Sequence, residues 1–276
     1  MRKYFSFLIL FFFLNVSPAQ APYQLSWKTD GILLGASALM GAVDYHLNQQ
    51  ISLLTTEEIY AALASNEINN FDKIATKLYS EAADKRSDIG MYISSGAALG
   101  VSAEIALSES ENRGLNTHSV TLAILWLETN IINSFGTDIV KSSVQRTRPY
   151  VYNHEYPIEK KYAENARKSF FSGHTSMTAA NSFFAAKVFS DYYSDSKWKP
   201  VIWTTAALIP AWTGFERVLA GKHFPSDVIA GYIFGAACGY FIPHLHKKHE
   251  QNLVSNMIIL PYNNFDSKGI SMTLSF

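Results

Sequence analysis

The chain has 276 residues, of which 48% are hydrophobic, 14% aromatic and 17% charged, with 23 Lys and Arg against 23 Asp and Glu. A soluble domain carries about a quarter charged residues, so the apolar excess asks for a large core or for contact with a membrane. Zero net charge gives no electrostatic ground for nucleic-acid binding. The single cysteine, Cys238, excludes an internal disulfide framework and a cysteine-based metal cluster. The aliphatic and aromatic content excludes intrinsic disorder.

In chain order, Arg2 and Lys3 precede an apolar run from Tyr4 to Leu14, and Ser17-Pro18-Ala19 follows. This reads as a secretory signal peptide over 1–19, cleaved before Gln20, with the mature protein exported to a periplasm. Asp30 to Tyr45 reads as a helix of small and apolar residues with Asp30 as its N-cap. Thr55-Thr56-Glu57-Glu58 is a capping box ahead of Ile59 to Ala64. Phe71, Ile74, Ala75, Leu78 and Ala82 recur at helical spacing and predict a helix over Phe71 to Ala83.

Helices over Asp88–Leu107 and Val120–Val140 follow, and then a polar loop with Pro149 and Pro157. Helices over Thr175–Tyr193, Val201–Phe215 and Val228–Phe241 complete the set. At the end Ile270, Met272, Leu274 and Phe276 alternate with Ser271, Thr273 and Ser275, the period of a strand, with Met257 to Leu260 as its partner. The expected architecture is an all-α helical domain over 20–250 with a C-terminal β-hairpin over 251–276.

Glu104, Glu128, Asp138 and Lys187 interrupt the apolar helices. A charge at mid-span costs at least about 2.5 kcal/mol, which favours a soluble or membrane-associated domain over one that spans a bilayer, the integral alternative staying open. His244, His246 and His249 read as a solvated basic tail rather than a metal site. His46, His118 and His154 stand alone and read as structural or surface residues.

Three segments carry chemistry. Lys141 and Arg148-Pro149 end a long apolar helix, Ser172-Gly173-His174 opens another, and Arg217, His223 and Asp227 lead into the last. Arg148 and Arg217 offer planar forks that match phosphate oxygens, and Lys141 adds a point charge. Pro149 disfavours helix at Arg148, so Arg148 falls where the helix stops. Ser172-Gly173 at a helix start presents free backbone N–H groups to an anion. Asp227 is placed to accept the N–H of the His223 imidazole, leaving the other nitrogen as a nucleophile.

His174, protonated, can donate to a leaving alkoxide. Displacement at phosphorus through a phosphohistidine follows, with charge on the equatorial oxygens stabilised by the cations. All the cations are side chains, so no metal or cofactor is called for. Each element also has a plain structural reading. Ser172 can be only an N-cap, Arg148-Pro149 only a helix end and Asp227 only a first-turn carboxylate.

The three segments together resemble the type 2 phosphatidic acid phosphatase (PAP2) superfamily, which includes bacterial acid phosphatases and vanadium haloperoxidases. Its signature runs Lys-x6-Arg-Pro, Pro-Ser-Gly-His, and Ser-Arg-x5-His-x3-Asp. Lys141, Arg148, Pro149, Ser172, Gly173, His174, Arg217, His223 and Asp227 match it. The resemblance implies a helical bundle, phosphate binding by Lys141, Arg148 and Arg217, His223 as nucleophile, His174 as acid and Asp227 as its partner.

The implied substrate is a phosphate mono- or diphosphate ester, lipid phosphates foremost: phosphatidic acid, phosphatidylglycerol phosphate, lipid A phosphate or polyprenyl diphosphate. The alternatives are a vanadate-dependent haloperoxidase and a non-catalytic phosphate-binding envelope protein. Two positions depart from the pattern. Phe171 stands for the proline, which is expected to loosen the turn, and Glu216 stands for the serine, where an acid can compete for Arg217 or point away.

Overall fold

The computed structural model describes residues 21–65, 67–108, 117–248, 257–264 and 267–274. The expected signal peptide lies outside them, as does Phe276. Seven helices are described: α1 (Trp27–Asn48), α2 (Thr56–Ala64), α3 (Glu81–Ser108), α4 (Thr117–Val144), α5 (Gly173–Tyr192), α6 (Lys199–Leu219) and α7 (Pro225–Leu245). Short 3-10 turns punctuate the loops at Lys73–Lys77, Pro149–Tyr152, Ile158–Tyr162 and Glu164–Arg167. Two strands, β1 (Met257–Asn264) and β2 (Ser267–Leu274), pair antiparallel with Met257 opposite Leu274 and Asn264 opposite Ser267. They fall in a separate unit that starts at Lys247, and the helical unit ends at His246.

α5 is the centre of the helical unit, packed against α3, α4, α6 and α7. Its sequence explains this: Ser176, Thr178, Ala179, Ala180, Ser182, Ala185 and Ala186 are all buried, and small side chains let neighbours approach from every side. α7 answers with Gly231, Gly235 and Gly239 at four-residue spacing, one stripe on one face. A Cβ at these positions would strike the backbone carbonyls of Ser172, Ser176 and Ala180 on α5. Trp126 Nε1 and Asn130 of α4 both bond Asn181 of α5, fixing the register between those helices.

Two groups of helix ends result. Asn48 meets Ser142 and Lys168 at one end of the unit. At the other, the Gln24 N–H donates to the His246 carbonyl at 3.0 Å, and Tyr23 donates to Asp191 at 2.7 Å. α2 and the loop after α4 cover the first end, with Leu54 and Ile59 packed on Tyr150, Val151 and Tyr156. The capping box that starts α2 is present in both directions, Glu58 N to Thr55 Oγ1 at 3.2 Å and Thr55 N to Glu58 Oε2 at 2.8 Å.

Outside the cavity, the structure differs from the sequence reading in three places. Ser26, not Asp30, caps α1: its Oγ accepts from Thr29 N at 3.1 Å, and Asp30 in the first turn accepts the Ser26 N–H at 2.5 Å. The expected helix over Phe71 to Ala83 is one 3-10 turn followed by extended chain, and α3 starts at Glu81. Phe71 and Ile74 are exposed, so their spacing marks no buried face. Tertiary bonds hold this segment instead, as where Asn153 Nδ2 donates to the Leu78 carbonyl. His246 is 2% exposed and is no part of a solvated tail.

Charges expected to oppose a membrane are mostly turned inward. Glu104 accepts from the Tyr193 hydroxyl at 2.5 Å, Lys187 pairs with Asp191, and Glu128 faces His246. Large apolar side chains face outward: Ile32, Leu34 and Leu39 on α1, Tyr92 and Leu99 on α3, Leu208 and Phe215 on α6, Ile233 and Phe241 on α7. α3 and α7 are long and apolar enough to cross a membrane by length and composition.

Candidate active site

A cavity of about 330 Å³ opens among α3, α4, α5 and α6 at the end covered by α2, lined by Asp84, Asp88, Lys141, Arg148, Asn165, His174, Arg217, Lys222 and His223. Lys141 reaches it from the last turn of α4, which stops at Val144. Arg148 follows in extended conformation, with Pro149 opening the next 3-10 turn. Its N–H donates to the Ala166 carbonyl at 2.8 Å, which anchors the strand of chain that carries it. α4 ends between Lys141 and Arg148, and both line the cavity.

Arg148 is 6% exposed and Arg217 4%. The Nε of each is buried without a hydrogen-bond partner. A buried, unpaired guanidinium N–H is costly, and two of them beside one cavity fit an anion that supplies the missing acceptors. Arg217 also pairs with Asp84 and bonds Ser87 Oγ at 3.1 Å, which sets its fork. Four cations meet two carboxylates in the lining, so the cavity is locally cationic in a chain of zero net charge.

His223 is 1% exposed. Its Nδ1 lies 2.7 Å from the Ser169 carbonyl oxygen. A carbonyl only accepts, so Nδ1 carries the proton and Nε2 keeps its lone pair. Burial, then the charges of Arg148, Arg217 and Lys141, hold the His223 imidazole well below the usual histidine range, and the ring is neutral. His174, second residue of α5, donates from Nε2 to Asp88 Oδ1 at 2.9 Å.

Asp227 does not accept the imidazole N–H: its Oδ2 is 3.7 Å from His223 Nδ1. It accepts instead from Ser169 Oγ at 2.5 Å, Phe224 N at 2.9 Å and Arg146 at 2.5 Å. Its backbone carbonyl takes the Ser172 N–H at 3.0 Å. One buried residue therefore ties together the stretches that hold all three motifs, and it positions His223 through Ser169. The sequence pointed to a carboxylate four residues on and could not show that the nearer acceptor is a backbone carbonyl from a distant loop.

Ser172 is the N-cap of α5, its Oγ accepting from Thr175 N, and it is fully buried rather than in the cavity lining. Gly173 matters for space: a Cβ there would lie 2.8 Å from Lys141 Nζ. Phe171 is buried with its ring 5.1 Å from that of Phe234, so it braces the turn before α5 rather than loosening it. Glu216 turns away from Arg217 and takes a two-pronged bond from Arg86, at 3.0 and 2.8 Å.

Sequence reasoning missed Arg146, Asp72, Ser169, Asp84 and Asp88. Arg146 joins Asp72, Asp227 and Ser226 and stacks over the Phe224 ring, 4.0 Å from its centroid. It sits inside the first motif, two residues before Arg148, and that place was the available signal. Asp72 was hidden in the segment read as a helix.

The PAP2 superfamily profile matches residues 122–251. The chain is 34% identical over 116 residues to a lipid A 1-phosphatase of Rhizobium johnstonii (strain DSM 114642 / LMG 32736 / 3841), a match covering 39% of this chain and 41% of that protein. It is 33% identical over 115 residues to a lipid A 1-phosphatase of Rhizobium etli (strain ATCC 51251 / DSM 11541 / JCM 21823 / NBRC 15573 / CFN 42), covering 39% and 43%. The matches span about two fifths of the length of these curated relatives. Among solved structures, a transmembrane PAP2 type phosphatidylglycerolphosphate phosphatase from Bacillus subtilis aligns with 76% of this chain and 94% of its own, at 18% identity and a TM-score of 0.47. Every motif residue from Lys141 to Asp227 lies inside the stretch that the PAP2 superfamily profile matches.

Proposed function

We propose that the protein is a phosphatase that hydrolyses phosphate mono- or diphosphate esters of lipids through a phosphohistidine. The observation that carries this reading is the bare Nε2 of His223 beside two buried guanidinium groups with unpaired Nε–H donors. The family match and the lipid A 1-phosphatase relatives support the reaction class and a lipid substrate.

In this reading the phosphoryl group sits between Arg148, Arg217 and Lys141. His223 Nε2 attacks phosphorus, the bond from phosphorus to the ester oxygen breaks, and His174, entering this step as the imidazolium, gives that oxygen a proton and becomes neutral. The leaving oxygen takes the place of Asp88 on the His174 ring. Water then attacks phosphorus, the P–N bond to His223 Nε2 breaks, the now neutral His174 takes the water's proton, and inorganic phosphate departs. The cations neutralise charge on the equatorial oxygens throughout. The cavity holds a headgroup phosphate, not a whole lipid.

The exposed aliphatic side chains on α1, α3, α6 and α7 exceed what a monomer leaves in water. In our reading they contact acyl chains, and the cavity opens at the water interface, where a lipid headgroup stands. The six long helices then cross with their charges paired inside. α1 leads from the far end to the site end, so an exported N-terminus ahead of α1 and six crossings place the site inward. A site facing the periplasm needs one of the two to give way. Impermeant thiol labelling of His154→Cys at the site end and Lys197→Cys at the far end, in intact cells, decides which end faces out.

The enzymatic test is phosphate release from phosphatidic acid, lipid A and a polyprenyl diphosphate, with wild type and His223→Asn in detergent. Release from at least one lipid by the wild type, lost in the variant, is expected. No release from any of them contradicts the reading.

A further inference from the structure

A second cluster of buried polar groups lies at the other end of the helical unit, about 20 Å along α4 from Lys141. Asp30 from the first turn of α1, Glu128 from the middle of α4 and His246 just beyond α7 converge there, their ligand atoms all within 4.8 Å of one another. The phosphate chemistry uses none of them.

The His246 side chain is fully buried. Its Nδ1 lies 2.9 Å from the Ile242 carbonyl, which only accepts, so Nδ1 carries a proton and, in the neutral ring, Nε2 presents a lone pair. That Nε2 points between Asp30 Oδ1 and Glu128 Oε2, 3.3 Å from each. All three atoms are buried and none has a hydrogen-bond partner. With the ring neutral, three acceptors face one another without a donor and repel, and positive charge, from a second ring proton or from a metal ion, resolves that repulsion.

The spacing separates two sources of positive charge. An imidazolium N–H bonded to carboxylates draws them to about 2.7–2.9 Å. Three ligands arranged tetrahedrally around zinc, with bonds of about 2.0–2.1 Å, stand about 3.3–3.4 Å apart. The observed 3.3 Å from His246 Nε2 to each carboxylate oxygen matches the second spacing, and all three atoms lie within 4.8 Å of one another. The supports are also those of a ligand set: the Ile242 carbonyl orients the ring, and the Ser26 N–H holds the other oxygen of Asp30 at 2.5 Å. The Asp30 and Glu128 side chains are 25% and 13% exposed, so the cluster lies just beneath the surface.

We propose that Asp30, Glu128 and His246 bind one divalent metal ion, zinc by its donor set and spacing, which clamps α1, α4 and α7 together. The ion is structural and acts apart from the phosphate cavity. A histidine nitrogen among two carboxylates selects zinc over magnesium or calcium, which take oxygen ligands.

The test uses full-length protein in detergent, stripped with EDTA and titrated with zinc chloride, with bound metal measured by elemental mass spectrometry and unfolding followed by circular dichroism. The expected result is one zinc per chain and a midpoint raised by several degrees. Asp30→Asn and Glu128→Gln, which keep side-chain shape, fold with unchanged helicity, bind less than a tenth of that zinc and show no shift. Substoichiometric zinc on the wild type with no shift overturns the proposal, and so does full zinc binding by the double variant. If His246→Gln fails to fold, the wild-type stoichiometry and the two carboxylate variants still decide. The metal readout is independent of phosphatase turnover, so failure of either reading is seen separately.

Discussion

The two ends of the helical unit both bury charge, and they do so with opposite sign. At the site end, Arg148 and Arg217 keep unpaired Nε–H donors beside a cavity, where the proposed phosphate would supply acceptors. At the far end, Asp30, Glu128 and His246 keep unpaired acceptors, where a cation supplies charge. The difference lies in how each cluster is held. The site end is braced by Arg146, Asp72 and Asp227, a network complete within the protein. At the far end the ion itself would be the brace. Loss of the bound group is therefore expected to leave the site end folded and to loosen the far end.

The largest effect that sharpens this contrast is on chemistry alone. His223→Asn removes the nitrogen proposed to attack, and phosphate release is expected to fall by about 10⁴-fold or more while the thermal midpoint stays near wild type. Next come the braces. Asp227→Asn disturbs the bonds from Ser169, Phe224 and Arg146 and shifts His223 through the Ser169 loop. It should lower kcat by about 10²-fold, with KM little changed, because the ring is misplaced rather than lost. Arg146→Gln strands Asp72 and Asp227, whose side chains are 1% and 0% exposed, and should cost about 3 kcal/mol by denaturant unfolding.

A pH profile separates the cationic cavity from an ordinary histidine site. In the proposed mechanism the neutral His223 ring attacks, and its pKa is depressed by burial and by Arg148. Activity therefore persists as pH falls through the ordinary histidine value of about 6.5, and the acid limb lies lower. Arg148→Gln should move that limb upward, and an unmoved limb assigns it to another group. The sign for stability is fixed too. The unfolded ring takes up a proton near pH 6.5 while the folded ring does not, so stability contributed by His223 falls as pH drops below that value.

The smallest effect is at Glu216. Its partner Arg86 is 44% exposed and neither group lines the cavity. Glu216→Gln should change kcat/KM by less than about threefold and stability by at most about 1 kcal/mol. A larger loss of activity would reinstate competition for Arg217.

How much of this was legible follows from the same contrast. Lys141, Arg148, His174, Arg217 and His223 could be found from spacing, because each motif packs its chemistry into a few residues at a helix end. The order of the long helices was legible from apolar runs. Asp30, Glu128 and His246 come from three distant stretches, so no local pattern joins them. The Ser169 carbonyl was invisible for a related reason: a backbone acceptor has no letter in the sequence. Phe71 and Ile74 misled because exposed apolar residues at a membrane-facing or loop surface mimic the period of a buried face.

The central claim is that His223 carries the phosphoryl group. The direct measurement is an alkaline rapid quench of wild type during turnover of a radiolabelled lipid phosphate, with the labelled peptide identified. The account predicts label on His223 that forms and decays at rates consistent with turnover, and none on His223→Asn. Label on another residue, or phosphate release by His223→Asn at the wild-type rate, contradicts it.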